Sequence, residues 1–134
     1  MRSKNPDREK AKSLLNASSR DMEFTLNLDL SESSASTIVR NVYECFRKVG
    51  DSLLILEGFE SKDHLEPINA LMELNVETER PLGVIDNLRK IRHSINYRGY
   101  VPSVFEAREA IDIARKVYFP LVENIKKRLE SNKP

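Results

Sequence analysis

Residues 34–58 have the sequence SASTIVRNVYECFRKVGDSLLILEG, and they decide the fold because they carry the clearest helical pattern in the chain. Apolar side chains recur there about every 3.5 residues and form one broad stripe: Ile38, Val42, Cys45, Val49 and Leu56. Serines at the start offer several N-cap positions, and Gly58 is well placed to end the helix. The stretch therefore predicts a long amphipathic helix.

Weaker helical patterns extend on both sides. They predict long helices over residues 7–27, 81–98 and 103–130, and a short helix over residues 61–74. Pro67 should make the start of the short helix irregular, and Pro120 should kink the last one because its ring clashes with the carbonyl of Lys116. No convincing strand is present. We predict an all-α domain over residues 1–134, an antiparallel up-and-down bundle of four long helices plus one short helix.

Composition limits the classes of function. The 22 basic and 21 acidic residues give a net charge of +1, which does not fit a protein that coats nucleic acid through overall charge. Any nucleic-acid contact has to come from a local patch, and residues 89–98 are the best candidate because they contain four Lys or Arg, one His and no acid.

The sequence also bears on compartment and cofactors. It contains no apolar run long enough to span a membrane and no secretion signal at its start. The single cysteine, Cys45, lies on an apolar helix face, so we expect a small buried side chain in a reducing cytoplasm. Four isolated glycines make no phosphate loop, and one cysteine with two distant histidines makes a zinc site improbable. We therefore expect no metal and no cofactor.

The most informative polar motif is DNLRKIRHSINYRGY, residues 86–100. The apolar residues of this helix recur at helical spacing and form one stripe: Val84, Leu88, Ile91 and Ile95. At roughly 100° per residue, Arg89, Arg92 and Asn96 fall side by side along one border of this stripe, with His93 just outside. A half-buried guanidinium costs desolvation free energy unless it is paired or lines a cleft. The motif predicts an anion-binding edge with His93 as a candidate general base, and the alternative is a solvated edge with incidental ion pairs.

A second polar group lies on the helix of residues 34–58. Tyr43 and Arg47 are one turn apart with Glu44 beside both, and one interpretation is that Tyr43 and Arg47 share a pocket with the arginines of the later motif. The alternative is an ordinary Glu44–Arg47 pair within the helix. His64, at the start of the short helix, is a candidate ligand-binding residue or a capping or surface histidine.

The order of these motifs resembles the HEPN superfamily of helical-bundle proteins. The similarity runs through residues 42–47, 53–59, His64 and 88–99 and covers roughly residues 7–130. It implies a bundle of four to five helices that is usually dimeric. Many members are metal-independent ribonucleases, and some are toxins paired with a small nucleotidyltransferase antitoxin.

The resemblance also implies a site at a dimer interface, built from an arginine and a histidine with four to six residues between them. Arg92 matches that arginine and His93 matches the polar residue that often follows it, but positions 97–99 are Tyr, Arg and Gly. Because the family's histidine would handle the 2′-hydroxyl proton, its absence argues against cleavage and leaves phosphate binding intact.

Three functional hypotheses remain. The first is an HEPN-like domain that binds RNA or nucleotide through Arg47, Arg89, Arg92 and Asn96 with weak or absent cleavage. The second is a metal-independent endoribonuclease that uses Arg92 with His93 or His64. The third is a non-enzymatic subunit whose polar edge is a dimer or partner interface.

Overall fold

The computed structural model describes residues 2, 3 and 5–131. Helices form most of this part of the chain: α1 (Arg8–Leu26), α2 (Ala35–Leu56), α3 (Leu65–Met72), α4 (Val84–Arg98), α5 (Val104–Ile113) and α6 (Phe119–Ser131). A π-helical segment, Ala114–Tyr118, joins α5 to α6 without a break. The all-α prediction is confirmed. Residues 1, 4 and 132–134 of the predicted domain lie outside the described residues.

Helix α2 is the centre of the fold, because α1, α3, α4 and α5 all pack against it. Its apolar stripe is wide enough to serve all these neighbours, and thirteen of its residues are buried. Gly58, with φ at 89°, follows the C-terminal turn and donates its N–H to the carbonyl of Ile55. The predicted end of the helix at this glycine is confirmed.

Helices α2 and α3 approach each other closely at Gly50. A Cβ atom on this residue would lie 2.2 Å from the carbonyl oxygen of Pro67, so only glycine allows the contact. Pro67 is the third residue of α3, where its missing N–H has no intrahelical acceptor in any case. Asp63 accepts hydrogen bonds from the N–H groups of Leu65 and Glu66, both at 2.9 Å, and thereby caps the start of α3.

The C-terminal helical segment has two special features, a capping box where α5 begins and a proline, Pro120, near the start of α6. Ser103 and Glu106 form the predicted capping box at the start of α5. The π-helical segment ends at Tyr118, two residues before Pro120. In a regular helix, the ring of Pro120 would clash with the carbonyl of Lys116. The expected disruption therefore takes the form of a local widening of the helix.

Two short strands correct the prediction that the chain has none. Strand β1 (Arg2–Ser3) pairs antiparallel with β2 (Phe59–Glu60), which directly follows α2. Each strand has only two residues, so neither can show the alternation by which a strand is recognised in a sequence.

Helix α4 presents two different sides. Ile85 and Leu88 are fully buried against the core, whereas Val84, Ile91 and Ile95 of the predicted stripe are only partly buried. The helix begins at Val84, later than predicted, and ends at Gly99 in the left-handed conformation with φ at 66°. Since its apolar contact is narrow, most of its polar side chains lie at the edge of the α2 contact or in solvent.

Candidate polar site

Arg92 of α4 contacts two residues of α2. Its Nη2 atom lies 3.4 Å from Glu44 Oε1, and its guanidinium carbon lies 5.6 Å from the centre of the Tyr43 ring. The Arg92 side chain is only 18% exposed, so the ion pair and the cation–π contact offset its desolvation. The predicted meeting of Tyr43 with the arginine edge of α4 is present in the structure.

Arg47 extends this group along α2. Its Nε donates to Glu44 Oε2 at 2.9 Å and its Nη1 donates to Asp51 Oδ2 at 3.3 Å. Ser61, in the segment before α3, donates to the other oxygen of Asp51 at 3.0 Å. The Glu44–Arg47 pair within the helix is present, and the same carboxylate also pairs with Arg92 of α4. We call Tyr43, Glu44, Arg47, Asp51 and Arg92 the inner cluster.

The inner cluster contains two buried oxygen atoms without a hydrogen bond in the described part of the chain, the Tyr43 hydroxyl and Glu44 Oε1. Tyr43 is fully buried, and its hydroxyl has no hydrogen-bond partner among the described residues. Burial, with a contribution from Glu44, raises the pKa of Tyr43, although Arg92, Arg47 and Arg89 oppose the rise. Burial likewise raises the pKa of Asp51, against the effects of Ser61 and Arg47. The inner cluster therefore holds groups whose ionisation burial disfavours.

A second polar surface lies on the outer side of α4. Arg89, Lys90, His93, Ser94 and Arg98 line a groove of about 240 Å³, which we call the basic groove. Arg89 Nε donates to Asp86 Oδ1 at 2.7 Å, and Lys90 Nζ lies 3.5 Å from Asp86 Oδ2. The hydrogen bond from Arg89 lowers the pKa of Asp86.

The remaining predicted site residues lie apart from the inner cluster. Asn96 is exposed on α4, and His93 is exposed with its ring centre 4.8 Å from that of Tyr97. His64 is exposed at the N-cap position of α3, where its side chain makes no capping hydrogen bond, although it lies within electrostatic reach of Asp51. The structure brings Tyr43, Arg47 and Arg92 together and leaves both histidines outside.

Several residues of these two surfaces were not predicted from the sequence. Asp51 and Asp86 were visible in principle, since each is three or four residues from the arginine it pairs with on one helix. The contact of Ser61 with Asp51 could not be predicted from the sequence, because it depends on how the chain folds back after α2. Lys90 and Arg98 were predicted only as part of a basic segment. In the structure, both side chains line the basic groove.

Cys45 is a buried side chain, as expected. It is 1% exposed, and burial raises its pKa to about 12, so it is a thiol and not a thiolate at neutral pH.

Within residues 5–131, no group of three or more His, Cys, Asp or Glu side chains is arranged to hold a metal ion. In the described part of the chain, no helix has the length and apolar character needed to cross a membrane. Comparison with protein-family models, curated proteins and solved structures finds no match to the chain.

Proposed function

We propose that the chain is an HEPN-like domain, an antiparallel up-and-down bundle of four long helices and one short helix, that binds RNA or nucleotide through α4. The basic groove is the single observation that carries this proposal, because no carboxylate lines it. It makes the first hypothesis from the sequence more specific, because we propose that phosphate binds on the outer side of α4, next to the inner cluster.

The charge balance of the groove supports an anionic ligand. Arg89 and Lys90 share the single carboxylate of Asp86, and Arg98 forms no ion pair with any residue that the structure describes. Three cationic side chains and one carboxylate leave an excess of two positive charges, on a chain whose net charge is only +1. Such a local excess attracts a polyanion even when the protein as a whole is nearly neutral.

The two polar surfaces have different roles in this proposal. In the inner cluster, Glu44 and Asp51 balance the charges of Arg47 and Arg92. The pair between Arg92 and Glu44 joins α4 to α2, whereas Arg47 pairs within α2. Arg89 connects the surfaces, since it lines the groove and also acts electrostatically on Tyr43. Asn96, one turn beyond Arg92 and exposed, offers an amide to the same ligand.

Cleavage is not part of the proposed function. Tyr97 stands at the first position where the family pattern has its histidine, and a phenol is a poor base at neutral pH. By the same resemblance, we propose that the chain forms a homodimer and acts as the toxin-like half of a pair with a nucleotidyltransferase-type antitoxin.

A non-enzymatic interaction subunit is the second candidate. Exposed apolar side chains follow the basic groove along the chain, with Val101 72% and Phe105 66% exposed. An apolar surface of this kind favours contact with another protein chain. Under this alternative, substitutions in the groove would change the oligomeric state and leave RNA binding absent.

Charge reversal in the basic groove tests the proposal. We expect Lys90→Glu and Arg98→Glu each to weaken binding of a fluorescein-labelled 12-nucleotide RNA about tenfold, measured by fluorescence anisotropy at low salt. Each should also reduce the slope of log K against log salt concentration by at least about 1. Lys127→Glu, an exposed lysine on α6, is the matched control and should change the affinity much less.

Three results would contradict the proposal. They are wild-type protein that does not bind RNA, an equal loss in Lys127→Glu, and an Arg98→Glu variant that changes only the molar mass measured by light scattering. Incubation of wild type and Arg92→Ala with RNA in EDTA tests the endoribonuclease alternative. Cleavage by wild type alone would replace binding with metal-independent hydrolysis as the function.

A further inference from the structure

An aromatic pair stands at the rim of the basic groove. The rings of His93 and Tyr97 have centres 4.8 Å apart and planes tilted by 41°. His93 lines the groove, whereas Tyr97 is 69% exposed and its hydroxyl forms no hydrogen bond with any described residue. One ring thus joins the phosphate-binding surface, and the other presents an aromatic face to solvent.

This juxtaposition matters more than exposure alone. Exposed aromatic side chains are common on protein surfaces and need no function. A basic groove beside an aromatic face, however, supplies the two components with which proteins bind single-stranded nucleic acid: cations for the backbone and a stacking surface for the bases. In a duplex, the base faces are covered by neighbouring base pairs, so such a surface has nothing to stack on.

We propose that the His93–Tyr97 pair is a base-stacking subsite, and that the protein selects single-stranded RNA. One unpaired base stacks on the Tyr97 ring, which His93 supports from the groove side, while the adjoining phosphates contact Lys90 and Arg98. This inference rests on the proposed function, because it adds a contact to the bases to the contact already proposed for the phosphates.

Two other exposed aromatic side chains, Tyr100 and Phe24, lack this setting. The Tyr100 hydroxyl donates to the carboxylate of Glu106, which would repel a phosphate. Phe24 is 64% exposed on α1, and the cavity it lines also contains Asp21 and Glu44. Phe24 therefore matches Tyr97 in exposure while its neighbours carry the opposite charge, and it is the natural control.

The test compares three labelled probes with equal numbers of phosphates on each strand: single-stranded oligoadenylate, an abasic oligomer and an RNA duplex. We expect wild type to bind the oligoadenylate about tenfold more tightly than the abasic oligomer. Tyr97→Ala should bind both equally, Tyr97→Phe should retain the preference because it keeps the ring, and Phe24→Ala should behave as wild type. Tyr97 is exposed, so the fold of its variants is not at risk.

The outcomes separate this inference from the proposed function. Equal binding of base-bearing and abasic oligomers, with both weakened by Arg98→Glu, would overturn the stacking subsite and leave phosphate binding in place. Tighter binding of the duplex, or an equal loss in Tyr97→Ala and Phe24→Ala, would overturn it as well. Failure of every probe to bind would overturn the proposed function itself.

Discussion

The two fully buried tyrosines of this protein occupy very different surroundings. The Tyr118 hydroxyl donates to Ser18 Oγ at 2.7 Å, and Ser18 in turn donates to the carbonyl oxygen of Cys45 at 2.7 Å. The Tyr43 hydroxyl, equally buried, has no partner among the described residues. Burial raises the pKa of both phenols, so both are neutral at physiological pH.

The hydrogen bonds of Tyr118 stabilise the fold, whereas the buried, unpaired hydroxyl of Tyr43 costs desolvation free energy. Around Tyr118 the polar groups satisfy one another, and the ring packs edge-on against Phe46 at 5.5 Å between ring centres. Tyr43 instead carries an unpaired hydroxyl and contributes its ring face to Arg92. Because unsatisfied buried groups are rare in folded proteins, they tend to mark places where contact or binding outweighs stability.

Ser18→Ala should produce the largest effect on this comparison. It removes the hydroxyl that accepts from Tyr118 and donates to the carbonyl oxygen of Cys45, and the loss of these two buried hydrogen bonds costs about 2 kcal/mol of unfolding free energy. Urea denaturation measures the change. Ser13→Ala, at an exposed position of the same helix, is the control and should cost less. A Ser18→Ala variant as stable as wild type would mean that the network around Tyr118 does not stabilise the core.

Tyr43→Phe should have a smaller effect of the opposite sign. Removing a buried hydroxyl that has no partner should raise the free energy of unfolding by up to about 1 kcal/mol, because folding then no longer has to desolvate that hydroxyl. Tyr118→Phe is the matched control and should lower it by about 1 kcal/mol. Thermal unfolding of both variants gives the comparison. A loss of stability in Tyr43→Phe would show that the hydroxyl is satisfied in solution.

Much of the fold was predictable because helical periodicity survives in the sequence. The apolar stripe of α2 and the glycine after it gave the bounds of that helix to within two residues at each end. Periodicity says nothing about partners, however, and Gly50 reveals its contact with Pro67 only when α3 is in place. The β1–β2 pair escaped prediction because two residues are too few for a pattern.

The candidate site was predictable only in part. Spacing along α2 brought Tyr43, Glu44 and Arg47 to one face, and spacing along α4 did the same for its arginines. The partner of Arg92 depended on the register between the two helices, which a single helical period does not determine. The buried side of α4 also differs from the predicted stripe, because Ile85 is fully buried while Val84 is only partly buried, and Asn96, predicted at the border, lies exposed.

Two aspartates that each pair with an arginine extend the contrast from hydroxyls to carboxylates. Hydrogen bonding from Arg89 holds the pKa of Asp86 below 3.8, so ionised Asp86 stabilises the fold above its unfolded pKa and that contribution is lost as pH falls through the folded pKa. Burial holds the pKa of Asp51 above 3.8, so any stabilisation from this group exists at low pH and is lost as pH rises through the folded pKa. The two carboxylates therefore have opposite pH dependence.

Asp86→Asn should show the smallest effect, and its pH dependence makes it decisive. At pH 7 it should lower the free energy of unfolding by about 0.5 kcal/mol, because the ion pairs with Arg89 and Lys90 are partly exposed. This loss should diminish as the pH falls through the lowered folded-state pKa of Asp86, because the carboxyl then becomes protonated in wild type too. Asp51→Asn should become more stable relative to wild type as pH rises, since it lacks the carboxyl whose ionisation burial disfavours. Its amide oxygen still accepts from Ser61. Parallel pH profiles for the two variants would contradict the assignment of opposite shifts, and with it the distinction between a solvated basic groove and a desolvated inner cluster.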